Sequence, residues 1–133
     1  NGKPYIMELT PRGGGNRLCE MLKYATGVDL INAVTRFAVG DAPGRIEQRP
    51  YDSHWAEVIL HAESDGVFSG LSIAPSLPAE IIERDLWVKE GDRIHRFEAA
   101  NDAIGTLVLK FRNTEGLEAA ISNQNRWLKV IVK

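Results

Sequence analysis

Glu8, Thr10 and Arg12 stand two residues apart in the segment IMELTPRGGG, directly ahead of Gly13, Gly14 and Gly15. Side chains of an extended chain alternate between faces, so a carboxylate and a hydroxyl at this spacing can offer two oxygen ligands to one hard cation. Arg12 would place a guanidinium on the same side, where it can neutralise phosphate oxygens in a bidentate fashion. The glycines after it let a backbone approach an anion closely. Together these residues have the makings of a magnesium-phosphate site. An exposed Glu and Arg flanking a turn is the plainer alternative at this point, because a strand, a Gly-rich loop and a helix in succession are common. Neither the GxGxxG nor the GxxxxGK[ST] pattern is present, which argues against a Rossmann cofactor site and a P-loop.

The elements that must position these residues are legible from periodicity. Residues 5–9 are expected to form a buried strand, and Pro11 with the three glycines must break it. Asn1-Gly2 is a hairpin-turn signal with no strand ahead of it, so the sequence is expected to open halfway through a β-hairpin. From Asn16, read as an N-cap, Leu18, Met21, Leu22 and Ala25 recur at helical spacing up to Gly27. A second helix is expected to be capped by Asp29, to carry the apolar stripe Leu30, Ala33, Val34, Phe37 and Ala38, and to end at Gly40.

Residues 41–53 contain two prolines, a glycine and two arginines and little periodicity, as a linker would. Beyond them a β-rich unit is expected. Residues 55–63 and 67–74 should pair about a turn at 64–66, with further strands at 81–88, 93–97 and 104–112. A helix from Asn113 or Thr114 to about Asn123 should return into a last strand at 128–132. The expected organisation is therefore 1–40, a linker at 41–53, and a β-rich unit at 54–133.

The bulk composition narrows the function classes. At 133 residues, 44% hydrophobic and 26% charged, with a formal charge of -2, the chain fits one domain or two small lobes. No Lys/Arg block with interleaved aromatics exists to track nucleic acid. No apolar run long enough to span a bilayer is present, and the expected location is the cytoplasm. The single Cys19 excludes an internal disulfide, and the scattered His54, His61 and His95 form no zinc constellation with it. Cys19 is expected in the core, His54 and His61 as structural histidines, and Trp55, Trp87 and Trp127 in packing.

The stretch IMELTPRGGGNRLCEMLKYATGVDLINAVTRFAVGD resembles the last conserved block of the ATP-grasp ligases, which include biotin carboxylase, the carbamoyl-phosphate synthase large subunit and L-amino acid ligases. The matching residues are Glu8, Thr10, Pro11, Arg12, the three glycines, Ala25-Thr26-Gly27 and Asp29-Leu30. The run VKEGDRIHRFEAANDAIGTLVLKFRNTEGLEAAI, with LKVIV, is similar to the C-terminal subdomain of those ligases.

The resemblance implies an α+β fold: the end of an ATP-grasp domain, with strand, Gly-rich loop and two helices, then a β-rich C-terminal subdomain with one αβ return. It implies that Glu8 bridges magnesium ions on ATP and that Arg12 stabilises the phosphoryl group. Thr10 would be a second metal ligand, although it stands where the family most often has Asn, and a hydroxyl is shorter and weaker. Gly13, Gly14 and Gly15 resemble a loop that shapes a carboxylate pocket in the amino acid ligase branch. Gly91, Asp92 and Gly105 would be turn and packing residues.

The implied activity is that of a carboxylate-amine or carbamoyl-phosphate synthase-like ligase working through an acyl phosphate. ATP and Mg2+ would serve the full-length enzyme, and the remainder of that enzyme, upstream, would be this chain's partner. Small carboxylates and amines would be its substrates, with neither nucleic acid nor membrane as a partner and a homodimer left open. The isolated chain is expected to be inactive and to bind no cofactor. The alternative is a stand-alone binding or carrier-like module, since the turn Lys89-Glu90-Gly91-Asp92 resembles that of lipoyl and biotinyl carriers. Where the carrier lysine would sit, however, the chain reads Ala99-Ala100-Asn101-Asp102.

Overall fold

The computed structural model describes residues 2–7, 9, 13–47, 49–50 and 53–133. Two helices come first, α1 (Leu18–Thr26) and α2 (Leu30–Ala38). Six strands follow, interrupted by short helices: β1 (His54–Leu60), β2 (Gly66–Ile73), β3 (Ala79–Leu86), β4 (Arg93–Ile94), β5 (Gly105–Phe111), α3 (Thr114–Ser122), α4 (Gln124–Trp127) and β6 (Leu128–Val132). The class is α+β, with two antiparallel three-stranded sheets ordered β1-β5-β3 and β4-β2-β6.

The alternation of side chains decides how the first sheet is used. One face carries Ala56, Val58 and Leu60 of β1 opposite Leu109, Leu107 and Gly105 of β5. Leu60, Leu107, Leu109 and Phe111 join Phe68, Ile94, Ala120 and Trp127 in a single buried core. Leu71, Ile73, Val130 and Val132 of the second sheet pack against it. The Trp127 indole N–H donates to the Ala120 carbonyl at 2.9 Å, which satisfies the one polar atom of that large core side chain.

Several sequence expectations are corrected here. The segments at 55–63 and 67–74 do not pair as a hairpin. β1 pairs with β5, and β2 with β4 and β6, so the chain crosses from one sheet to the other at residues 61–65. The physical reason is that β5 supplies the apolar row Leu107, Leu109 and Phe111 that β1 needs opposite it. Of the strand at 93–97 only Arg93–Ile94 is regular; beyond it Arg96 makes an isolated bridge with Ala62. The one-turn helix α4 was not anticipated.

Residues 5–7 and 9 form no strand, and Tyr5, Ile6, Met7 and Leu9 are 78%, 88%, 98% and 91% exposed. No strand among the described residues lies beside them to accept their backbone bonds. The stripe of α2 is likewise exposed at Val34 and Phe37, and only Ala33 of that helix is buried.

Helix ends follow the local chemistry closely. Asp29 caps α2 by accepting from the Asn32 N–H at 2.9 Å, and Asn113 caps α3 by accepting from Gly116 at 2.9 Å. Gly27 closes α1 at φ 76°. The start of α1 differs from expectation, because the N-cap is Arg17 rather than Asn16. Both residues are left-handed, at φ 54° for Asn16 and 68° for Arg17, and no side chain caps the helix.

Candidate functional site

Glu8, Thr10 and Arg12 lie outside the described residues. The glycines that follow are described, and at two of them an added side chain would crowd side-chain ends on α1. A Cβ on Gly13 would come within 2.6 Å of the Cys19 sulfur, and one on Gly14 within 2.5 Å of Leu18 Cδ2. Gly15 has open space at its Cα, and its carbonyl accepts from the Leu18 N–H at 3.2 Å. The loop therefore rides on the first turn of α1. Cys19 is half-buried and serves as part of that seat.

The next residues turn sharply. Two successive left-handed residues bring Arg17 back over the outer face of the β1-β5-β3 sheet, where its guanidinium meets carboxylates from two directions. Nη2 lies 2.6 Å from Glu83 Oε1, Nη1 2.9 Å from Asp85 Oδ2, and Nε 3.4 Å from Glu20 on its own helix. Burial by itself would lower the guanidinium's pKa, but the hydrogen bonds to Glu83 and Glu20 more than offset this and raise it. Arg17 is thus held charged.

The sheet register shows why the acids converge. Glu57, Val108 and Glu83 are opposed in one row across β1, β5 and β3, and Ile59, Thr106 and Asp85 form the next. Trp55, Lys110 and Glu80 form the third. Opposed residues share a face, so this outer face is polar where the inner one is apolar.

α1 covers it. The Tyr24 ring stacks on Trp55 with centroids 6.3 Å apart, its hydroxyl donates to Glu83 at 2.8 Å, and the Lys110 ammonium sits 5.4 Å from the Trp55 ring centre. The bond to Glu83, followed by burial, raises the Tyr24 pKa.

Glu57 is the unusual member. Its Oε1 is buried and has no hydrogen-bond partner among the described residues. Burial, reinforced by the negative charge of Glu20 and only partly countered by Arg17, pushes its carboxyl up to about 7. Such a group exchanges a proton near neutrality.

The resemblance-bearing tripeptide Ala25-Thr26-Gly27 has a structural duty in the same region. The Thr26 hydroxyl donates to the Leu22 carbonyl at 2.7 Å and accepts from the Val28 N–H at 3.1 Å, while the Thr26 carbonyl accepts from Arg49 at 2.9 Å. This anchors the end of α1 to the segment leading into β1. Gly91 sits in the turn before β4 and Gly105 packs against β3, as expected of turn and packing residues.

Among the described residues no group of three or more His, Cys, Asp or Glu could hold a metal ion. Nor is any described helix long and apolar enough to cross a membrane. The His61 ring lies tilted against that of Phe97, with centroids 4.7 Å apart.

No protein-family model matches the chain, and no curated protein matches it in sequence. Solved structures do. Phosphoribosylglycinamide synthetase from Anaerococcus prevotii superposes with a TM-score of 0.70 over 97% of this chain, at 22% identity. L-amino acid ligase from Bacillus licheniformis does so with a TM-score of 0.70 over 99% of it, at 17% identity. Both are ATP-grasp ligases.

The chain has the fold of one part of these ATP-grasp ligases.

The chain accounts for 34% and 33% of the lengths of those two enzymes, so it is similar to about a third of each. The mixed architecture expected from the sequence agrees with this part of the ATP-grasp fold. The acid cluster around Arg17 was missed by sequence reasoning, although Glu83 and Asp85 at period two in a strand already placed both on one face.

Proposed function

We propose that this chain is the C-terminal part of an ATP-dependent carboxylate-amine ligase that works through an acyl phosphate, and that it is inactive by itself. The observation that carries this is the superposition of nearly the whole chain on about a third of two ATP-grasp ligases. The exposed apolar residues Tyr5, Ile6, Met7 and Leu9, with Val34 and Phe37 of α2, support it, because surfaces of this kind are usually covered by further protein.

In this proposal Glu8 and Thr10 supply oxygen ligands to Mg2+, and the donor set suits that hard cation. A metal held there would supply charge neutralisation for phosphoryl transfer. Arg12 adds a guanidinium for phosphoryl or acyl-phosphate oxygens, and the Gly13–15 backbone, held against Leu18 and Cys19, frames the carboxylate substrate. A carbamoyl-phosphate synthase-like reaction is the variant in which the acyl group is a carboxylate as small as bicarbonate. The cytoplasm is the proposed location.

Two measurements separate the parts of this proposal. Titration calorimetry of MgATP into the 133-residue chain should give no binding heat; millimolar or tighter affinity would show the chain to be a nucleotide site in its own right. In the longer polypeptide that carries the chain, ADP release should require both a carboxylate and an amine. There Glu8→Gln should lower kcat by about 100-fold or more. ADP release indifferent to Glu8→Gln would remove the metal role. A lipoyl or biotinyl adduct found by mass spectrometry would favour the carrier-like alternative.

A further inference from the structure

We propose that the contact between α1 and the outer face of the β1-β5-β3 sheet is a proton-operated latch, engaged while Glu57 carries a proton and loosened once all four surrounding carboxylates are ionised. The four are Glu20 of α1, Glu57 of β1, and Glu83 and Asp85 of β3. Against them stands one guanidinium, Arg17, whose donors are already shared among Glu20, Glu83 and Asp85. Glu57 takes none of these three contacts, and its Oε1 is buried without a hydrogen-bond partner among the described residues.

The elements packed on Glu57 bring more carboxylates than cations to this face. On β1 its same-face neighbours Trp55 and Ile59 carry no charge. β5 presents Val108 directly opposite, with Thr106 and Lys110 in the flanking rows, and Lys110 leans over the Trp55 ring. β3 contributes Glu80, Glu83 and Asp85. α1 contributes Arg17 and Glu20, together with Tyr24, bonded to Glu83, and Lys23, which pairs with Asp29 at 2.6 Å. The helix α3, whose Leu117 and Ala120 belong to the core side, keeps Glu115 and Glu118 exposed.

A carboxyl pushed up to about 7 in the docked state favours the proton-bearing form. Docking is then unpenalised below the ordinary value of 4.5 and weakens as pH rises from there through about 7. Because Gly13 and Gly14 are seated on Cys19 and Leu18 of α1, the loop moves with the helix. The latch itself is independent of the ligase proposal.

Hydrogen exchange of the 133-residue chain, expressed as protection relative to the unstructured rate, tests it. Protection of the α1 amides at residues 20–25 should fall by about tenfold between pH 6 and pH 8, the change that a shift of this size implies. In Glu57→Gln, which mimics the protonated side chain, protection should stay level and match the wild type at low pH. Glu20→Gln, which removes a repelling charge while leaving Glu57 in place, should shrink the fall. Constant protection in the wild type, or an equal tenfold fall in Glu57→Gln, would overturn the latch.

Discussion

Arg17 shows how much one residue can organise. It stands at the first turn of α1 in a left-handed conformation that costs a non-glycine residue about 1 kcal/mol, and it retains that conformation because two strand carboxylates and one helix carboxylate meet its guanidinium. Replacing it by Met should leave Glu83 and Asp85 facing each other unneutralised. A loss of about 1–2 kcal/mol is expected in chemical denaturation, at the lower end for a buried ion pair because solvent reaches Asp85. Sequence patterning could place Glu83 and Asp85 on one strand face but had no means of bringing Arg17 to them. Arg17 and Glu83 are 66 positions apart by residue number, and either alone looks like an ordinary solvated charge. The candidate residues that the sequence did single out, Glu8, Thr10 and Arg12, were chosen on local grounds, since spacing along one short segment is enough to suggest a shared face, and they lie outside the described residues.

Local signals also explain which elements were legible. Asp29, Gly27 and Asn113 mark helix ends by side-chain or backbone chemistry confined to a few residues, so their positions could be read without knowing the fold. Asn113→Ala should cost about 1 kcal/mol of stability through loss of the bond to Gly116, seen as a lower thermal midpoint.

Asp29 behaves differently, since its bond to Lys23, followed by that to the Asn32 N–H, lowers its pKa below the ordinary 3.8. Its contribution is complete above that value and is lost as pH falls below it, so helical circular dichroism should decrease there in the wild type but not in Asp29→Asn. Strand pairing was the illegible part. The adjacent strands β1 and β2 look like a hairpin in sequence, yet burial of the β5 row outweighs proximity. At Gly105 the Asp85 carbonyl oxygen lies 2.2 Å from where a Cβ would sit, so Gly105→Ala must push β5 and β3 apart. A loss of about 3 kcal/mol or more is expected in urea unfolding.

At the scale of the molecule, apolar residues divide into two populations that sequence hydrophobicity cannot tell apart. Phe111 is 1% exposed in the core, whereas Phe37 is 73% exposed on α2. Phe111→Ala should therefore cost about 3–5 kcal/mol, while Phe37→Ser should change the denaturation midpoint little. A large loss at Phe37 would mean that the α2 face is covered in solution.

The ordering of the strands carries one further consequence, for synthesis. Among the described strands β1 and β3 hydrogen-bond to β5 alone, and β2, which lies between β4 and β6, gains β6 from residues 128–132. A nascent polypeptide emerging from the ribosome holds β1 and β3 with bare edges until residues 105–111 have cleared the exit tunnel, and β2 lacks its longer neighbour until residues 128–132 follow. Translation stalled before residue 105 should yield a protease-sensitive intermediate with two unpaired, apolar-faced strands, and the arrival of residues 105–132 decides whether the earlier strands fold or aggregate.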